Sequence, residues 1–187
     1  MTDARIRRAL RARLEALHRG ARDTKIFDEL GLCEGRARVD MAVVHHRLEG
    51  FEIKSDQDSL ARLDDQQRLY SKVFDRMTVV AHGAHVPRVL ERVPPWWGVM
   101  QALGIGAAIV AFVERRPAAQ NPARDPLALA QLLWRDEAIA ILERRGLDHG
   151  VRSRPRRHAW RRASEAIAID ELAAEVRDAL KLRRWRF

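Results

Sequence analysis

Val39-Asp40-Met41-Ala42-Val43-Val44 and Phe51-Glu52-Ile53-Lys54-Ser55 are two apolar, β-rich runs joined by a short polar connection, His46 to Gly50, that ends in glycine. This is the sequence pattern of a hairpin. Side chains alternate faces along a strand, so Glu52 and Lys54 point one way while Phe51 and Ile53 point the other. An antiparallel pair of this length brings Asp40 level with Glu52 or Lys54. Two carboxylates on neighbouring strands, with no third charge to balance them, repel each other and are costly to desolvate. A divalent cation removes that cost, and Mg²⁺ or Mn²⁺ held by one or two carboxylates plus phosphate oxygens suits Asp40 and Glu52.

Lys54 stands beside that pair. It is one of four lysines, with Lys25, Lys72 and Lys181, in a chain that otherwise carries positive charge on arginine. A lysine's pKa responds to its neighbours where an arginine's does not. Lys54 is therefore placed to serve an attacking water and to offset charge building on a phosphate. A Glu-x-Lys on a strand is also the ordinary pattern of a surface ion pair, so the reading needs further residues.

Those residues follow on a helix. Asp58 and Ser59 are good N-caps for a helix expected to run to about Phe74. Leu60, Leu63, Tyr70 and Phe74 recur at helical spacing, Gln67 falls on that stripe, and Gln66 flanks it. Tyr70 lies one turn beyond Gln66 on the same side.

Asp40, Glu52-x-Lys54 and Gln66-x-x-x-Tyr70, on successive strand, strand and helix, resemble the PD-(D/E)XK nuclease superfamily, in its branch with a Gln-x-x-x-Tyr helix as in RecB-type nuclease domains. The core resemblance covers roughly residues 1 to 82. A longer string, from Arg38 through Asp40, Gly50, Glu52, Asp58, Leu63, Gln66 and Tyr70 to Asp75, resembles a small bacterial and phage-associated family within it, extending to Pro95-Trp96-Trp97-Gly98 and the basic C-terminus. The resemblance implies an α/β, restriction-endonuclease-like core with a small mixed β-sheet flanked by helices. It makes Asp40 and Glu52 metal ligands and Lys54 the catalytic lysine, with Gln66 and Tyr70 positioning DNA or the active-site helix. An acidic residue before the hairpin is expected as well. Glu29 is the best match, with Asp28 and Glu34 as rivals. Val39 stands where the superfamily's eponymous proline would be, a change that bears on the strand more than on the chemistry.

Around this centre, Ala4 to Leu17 places Ile6, Leu10, Leu14 and Leu17 at helical spacing, an amphipathic helix that should pack on the sheet. Met77 to Ala81 reads as a third strand beside the hairpin. Val99 to Leu103 and Ala107 to Val113, about Gly104-Ile105-Gly106, read as a second hairpin or added edge strands. Pro117 to Pro126 holds three prolines and Asn121 and reads as a linker between a core at 1–116 and a basic helical extension at 127–187. In that extension Leu127 to Leu142 reads as one long helix, with further helices over Arg154 to Ile167 and Asp170 to Leu182.

The chain has 187 residues and a formal net charge of +9, which favours a polyanionic partner. Residues 151 to 187 carry 11 Lys and Arg against 5 Asp and Glu, a net of +6. Arg154, Arg156, Arg157, Arg161 and Arg162 are the candidates for contact with DNA phosphates, in a helix-turn-helix arrangement weakened by the long Gly146 to Gly150 connection. Trp96 and Trp97 are candidates for base stacking, although buried tryptophans are commoner. His45, His46 and His82-x-x-His85 do not make a zinc quartet with a single cysteine, Cys33. One cysteine, no long apolar run and no signal pattern lead to the expectation of a cytoplasmic protein without a membrane partner. Cleaving both strands of a duplex would call for a homodimer or a larger complex. The rival reading is a nucleic-acid-binding or interaction module that keeps the fold and does not cut, in a repair or phage-defence complex.

Overall fold

The β-branched runs of the first third become the centre of a six-stranded mixed sheet. In the computed structural model, which describes residues 1–105 and 108–183 (for side chains, all of these but 105 and 108–110), the strands are β1 (Lys25–Leu32), β2 (Ala37–Val44), β3 (Leu48–Lys54), β4 (Arg76–His82), β5 (Gly98–Ile105) and β6 (Ala108–Arg116). They lie in sequence order. β1, β2 and β3 form an antiparallel meander, β4 and β5 run parallel to β3, and β6 returns antiparallel on β5. Parallel neighbours need a crossover. Helices α2 (Leu63–Tyr70) and α3 (Val86–Arg92) provide the two crossovers.

The central strands β2 to β4 are buried on both faces. On one, α1 (Asp3–Leu17) lays Ile6, Leu10 and Leu14 against Met41, Val43, Phe51, Ile53, Val80 and Ala102. The other face takes α2, α3 and the four C-terminal helices, α4 (Pro126–Ala130), α5 (Arg135–Arg144), α6 (Arg156–Ala166) and α7 (Ile169–Leu182). There Phe27, Val39, Ala42, Phe74, Leu129, Leu142, Trp160 and Val176 belong to one continuous apolar cluster. The C-terminal helices therefore complete the core of the sheet. No helix among the described residues is long and apolar enough to cross a membrane.

Several boundaries differ from the sequence expectation, each for a local polar reason. The hairpin connection is His45 to Arg47, and Leu48 already belongs to β3. Helix α2 starts at Leu63 because Asp58 is spent elsewhere: its carboxylate accepts from the Ser55 amide at 2.7 Å and the Ser55 hydroxyl at 2.6 Å, pinning the turn after β3. Ser59 Oγ accepts from the Ala61 amide. Leu127 to Leu142 is two helices. Asp125 caps α4 at the Ala128 amide, and the Glu137 carboxylate accepts from the Trp134 amide at 2.7 Å to start α5 afresh. Gly106 and Ala107, at the tip of the β5–β6 pair, lie outside the described residues.

The segment 117–126 is fastened to Trp96, beyond α3, and to the turn after α2. The Ala119 amide donates to the Trp96 carbonyl and the Asn121 amide to that of Asp75, both at 2.8 Å. The buried Asn121 side chain donates to the carbonyls of Ser71 and Phe74. Trp97 is wholly buried, with its indole N–H on Ser71 Oγ, so it serves packing and has no face free for a base.

Gly50 of β3 is crowded by Phe74 of the turn after α2 and by Met77 of β4. A Cβ there would lie 2.6 Å from Met77 Sδ and 2.9 Å from the Phe74 ring. Gly50→Ala is expected to destabilise the protein by about 1–3 kcal/mol through overpacking. The change should appear as a lower urea midpoint at an unchanged slope. An unchanged midpoint would mean that Phe74 and Met77 yield without cost.

Candidate active site

The ladder between β2 and β3 stops at Met41 opposite Phe51. One step further, the Asp40 carboxylate takes the place of a backbone acceptor, and the Ile53 amide donates to Asp40 Oδ2 at 2.7 Å. Strict alternation also slips here. Val39 and Ala42 pack in the same cluster, as do Phe27 and Leu30 across from them, and Glu29 between the latter has a φ of +55°. The strands part at the level where Asp40 and Glu52 meet.

Glu52, Lys54, Gln66 and Tyr70 form one closed network. Lys54 Nζ donates to Glu52 Oε1 at 2.8 Å and to Gln66 Oε1 at 3.0 Å. Gln66 Nε2 donates to Glu52 Oε1 at 2.6 Å. The Tyr70 hydroxyl is 2.8 Å from Glu52 Oε2 and 2.8 Å from the Arg38 carbonyl, and its single proton serves one of the two at a time. An ammonium has three hydrogens. Two are used, and the third has no partner among the described residues. α2 is what makes this possible, since Gln66 and Tyr70 sit one turn apart on its sheet-facing side.

Burial sets the electrostatics. The Glu52 side chain is 4 % exposed and that of Lys54 5 %, whereas the Asp40 side chain keeps 19 %. Loss of solvation pushes both carboxyls above the ordinary range. Glu52 is raised further by the charge on Asp40 and held back by Lys54, and Asp40 is held back by the Ile53 amide and Arg7. The Tyr70 phenol is pushed far up by burial, by the Glu52 charge and by their hydrogen bond, so it stays neutral and acts as a donor.

The expectation that no third charge balances the two carboxylates is corrected by Arg7. From α1 its guanidinium meets Asp40 Oδ1 at 2.6 Å and the Asp40 carbonyl at 3.0 Å, while Asp3 holds its Nε at 3.2 Å. Reading α1 only as an amphipathic helix missed this residue. The available signals were the Asp3 to Arg7 spacing of four and a cation next to the buried Ile6.

Glu29 lies outside the buried network. It is exposed, pairs with Arg38 at 3.0 Å and lies 3.9 Å from Arg7. Of its rivals, Asp28 pairs with Arg11 and Glu34 sits in a tight turn with a φ of +60°.

The donor set suits a small, hard cation only in part. Asp40 and Glu52 supply oxygens on adjacent strands, the type of ligand Mg²⁺ and Mn²⁺ take. Among the described residues no group of three or more His, Cys, Asp or Glu side chains is arranged to hold a metal. The protein thus offers two carboxylates, and an ion there would take its remaining ligands from water and phosphate. His45 and His46 face each other through their Nδ1 atoms at 2.7 Å, away from any such arrangement.

The five C-terminal arginines sit on or just before α6. Arg154, Arg156, Arg157 and Arg161 are exposed, and Arg162 is half-buried. Arg156 stacks on Trp160 at 4.8 Å and Arg162 donates to the Leu147 carbonyl. Neighbouring Arg144, Arg145 and Arg152 are tied to Glu175, Glu171 and Asp148, whereas none of the five pairs with a carboxylate among the described residues.

Compared with known proteins, the chain matches a family model described as bacteriophage P4 protein cII over residues 3–186. Protein cII of Enterobacteria phage P4 is 35 % identical over 79 residues, a stretch that spans 42 % of this chain and 30 % of that protein. Among solved structures, the SPO1766 protein of unknown function from Silicibacter pomeroyi aligns with a TM-score of 0.41 at 18 % identity, over 76 % of this chain and 94 % of that one.

Proposed function

We propose that this chain, which belongs to the bacteriophage P4 protein cII family, is a metal-dependent nuclease of PD-(D/E)XK type that hydrolyses phosphodiester bonds in DNA. The observation that carries the reading is the network of Glu52, Lys54, Gln66 and Tyr70 beside Asp40, in which Lys54 from the same strand and Gln66 and Tyr70 from a helix converge on one buried carboxylate. An isolated surface ion pair would need neither the amide nor the phenol.

In this reading Asp40 and Glu52 hold Mg²⁺ or Mn²⁺, which when bound supplies Lewis acidity and neutralises phosphate charge. Lys54 directs its third hydrogen at the phosphate or at the attacking water. Gln66 and Tyr70 fix the Glu52 carboxylate and keep Lys54 in register. The water oxygen bonds to phosphorus and gives up a proton to solvent, the P–O bond to the leaving oxygen breaks, and that oxygen takes up a proton from solvent. The unpaired arginines of α6 provide sequence-independent phosphate contacts.

A second reading has its own support. Arg7 and Lys54 already offset the charges on Asp40 and Glu52, and Glu52 and Lys54 are almost closed to solvent. That suits a nucleic-acid-binding module that keeps the fold and does not cut.

The experiment is incubation of labelled single-stranded, duplex and branched DNA with the protein in Mg²⁺, Mn²⁺ or EDTA. Products that require the metal are expected. Retention of DNA with no product on any substrate would favour the non-cutting module.

A further inference from the structure

α6 packs through Ala159, Trp160 and Ala163, which are buried. A second stripe, His158, Arg161, Arg162 and Glu165, recurs at i, i+3, i+4 and i+7 and shares another side of the helix. With Gly150, Val151 and Arg154 of the preceding turn, these residues line an open hollow of about 300 Å³. The turn is a fastened wall. The amides of Val151 and Arg154 donate to the carbonyls of Asp148 and Val151, at 3.1 and 3.0 Å, and Arg135 donates to the Arg152 carbonyl. The neighbouring carboxylates, Asp148 and Glu143, are both engaged by Arg152.

The charges around the hollow do not balance. Three arginines and one glutamate line it, an excess of two positive charges before any charge on His158 is counted. Glu165 forms no ion pair with any described residue, and the guanidiniums of Arg154 and Arg161 have neither a carboxylate nor a hydrogen-bond acceptor among those residues. Arg162 spends one N–H on the Leu147 carbonyl at 3.3 Å and keeps the others. Guanidiniums gathered around one space repel each other, and an anion seated among them offsets that repulsion. A phosphodiester carries a single negative charge. A phosphate monoester carries about −1.5 to −2 and three strong acceptor oxygens, which matches both the excess charge and the number of arginines. The hollow is at the small end of ligand pockets, which run to roughly 300–1,000 Å³, and its concavity suits a terminal head group better than a strand laid along the helix.

We propose that this hollow binds a phosphate monoester, at the end of a polynucleotide strand or on a free nucleotide, with Arg154, Arg161 and Arg162 on its oxygens. The inference rests on the reading of α6 as a phosphate-binding helix and does not require cleavage at the Glu52 network.

The test is run in EDTA, with internally labelled oligothymidylate ending in a 5′-phosphate, in a 3′-phosphate or in hydroxyls at both ends. Fluorescence anisotropy should show one phosphorylated form bound about tenfold more tightly than the hydroxyl form, the scale of charge-assisted hydrogen bonds to one group. Arg154→Gln combined with Arg161→Gln, at two exposed positions, should abolish that preference whatever happens to the overall affinity. Arg156→Gln with Arg157→Gln removes the same charge from α6 outside the hollow and should keep it. Calorimetric titration of thymidine 5′- and 3′-monophosphate distinguishes the other source. Saturable binding that Arg154→Gln with Arg161→Gln removes, without an end preference among the oligomers, assigns the hollow to a free nucleotide. Neither an end preference nor monophosphate binding in wild type would overturn the proposal. So would either of them surviving in the Arg154→Gln, Arg161→Gln protein, or an end preference lost equally in both double variants. Metal-dependent cutting alongside such a failure leaves the nuclease reading standing, and an end preference without cutting does the reverse.

Discussion

Lys54→Met is expected to lower metal-dependent DNA cleavage by roughly 10²–10³-fold, the usual consequence of deleting one charge-stabilising donor in a closed site. Methionine keeps an unbranched chain of similar length, so the space Lys54 fills at 4 % exposure stays filled. Glu52 would retain its bonds from Gln66 Nε2 and Tyr70 OH and lose only the cation. A nearby positive charge competes with a divalent ion for a carboxylate, so Mn²⁺ affinity should hold or rise while cutting disappears. That split separates a role in chemistry from a role in holding the metal. Lys54→Arg should not restore the activity, because a planar guanidinium cannot repeat the point contacts made at 2.8 Å to Glu52 and 3.0 Å to Gln66. Full activity in Lys54→Met would remove this lysine from the reaction.

The largest effect on stability should come from Asp75, which sits at the junction of α2, β3 and the C-terminal helices. Its carboxylate, in a residue 4 % exposed, accepts from the Leu48 amide at 2.7 Å and from Arg124 at 2.7 Å, with Arg177 of α7 at 3.7 Å. Asp75→Ala strands a buried amide and leaves Arg124, only 12 % exposed at its side chain, with Asp170 alone. Removing one partner of a buried pair costs about 3–5 kcal/mol. Asp75→Asn keeps an acceptor for Leu48 and should cost less. Urea denaturation followed by circular dichroism measures both. A loss below about 1 kcal/mol in Asp75→Ala, the range of exposed ion pairs, would show that the network contributes no more than a surface one.

Much of the site was legible because it rests on short-range periodicity. Alternation in Phe51 to Ser55 fixed the facing of Glu52 and Lys54, and a spacing of four brought Gln66 and Tyr70 together. What escaped depends on how polar side chains are spent. Asp58 and Ser59 look like caps, but Asp58 is used on Ser55, and the helix waits until Leu63. Leu127 to Leu142 carries helical periodicity throughout, yet Glu137 closing on the Trp134 amide breaks it in two. Arg7 is the main omission at the site. Its partner Asp40 is 33 residues away, and the local signals, the Asp3 to Arg7 spacing and the neighbouring Ile6, say nothing of that partner. The slip of alternation at Glu29 was equally out of reach, because it goes with a positive φ at a residue other than glycine.

Metal-dependent cleavage at this site requires that Asp40 and Glu52 hold a divalent ion together. Calorimetric titration of Mn²⁺ into wild type, Asp40→Asn and Glu52→Gln tests this. Single-site binding by wild type and its loss in both variants, each folded by circular dichroism, is the expected result. Equal Mn²⁺ binding by all three proteins, or none by wild type with or without DNA, would contradict it and leave the Glu52 network as a structural element of a non-cutting module.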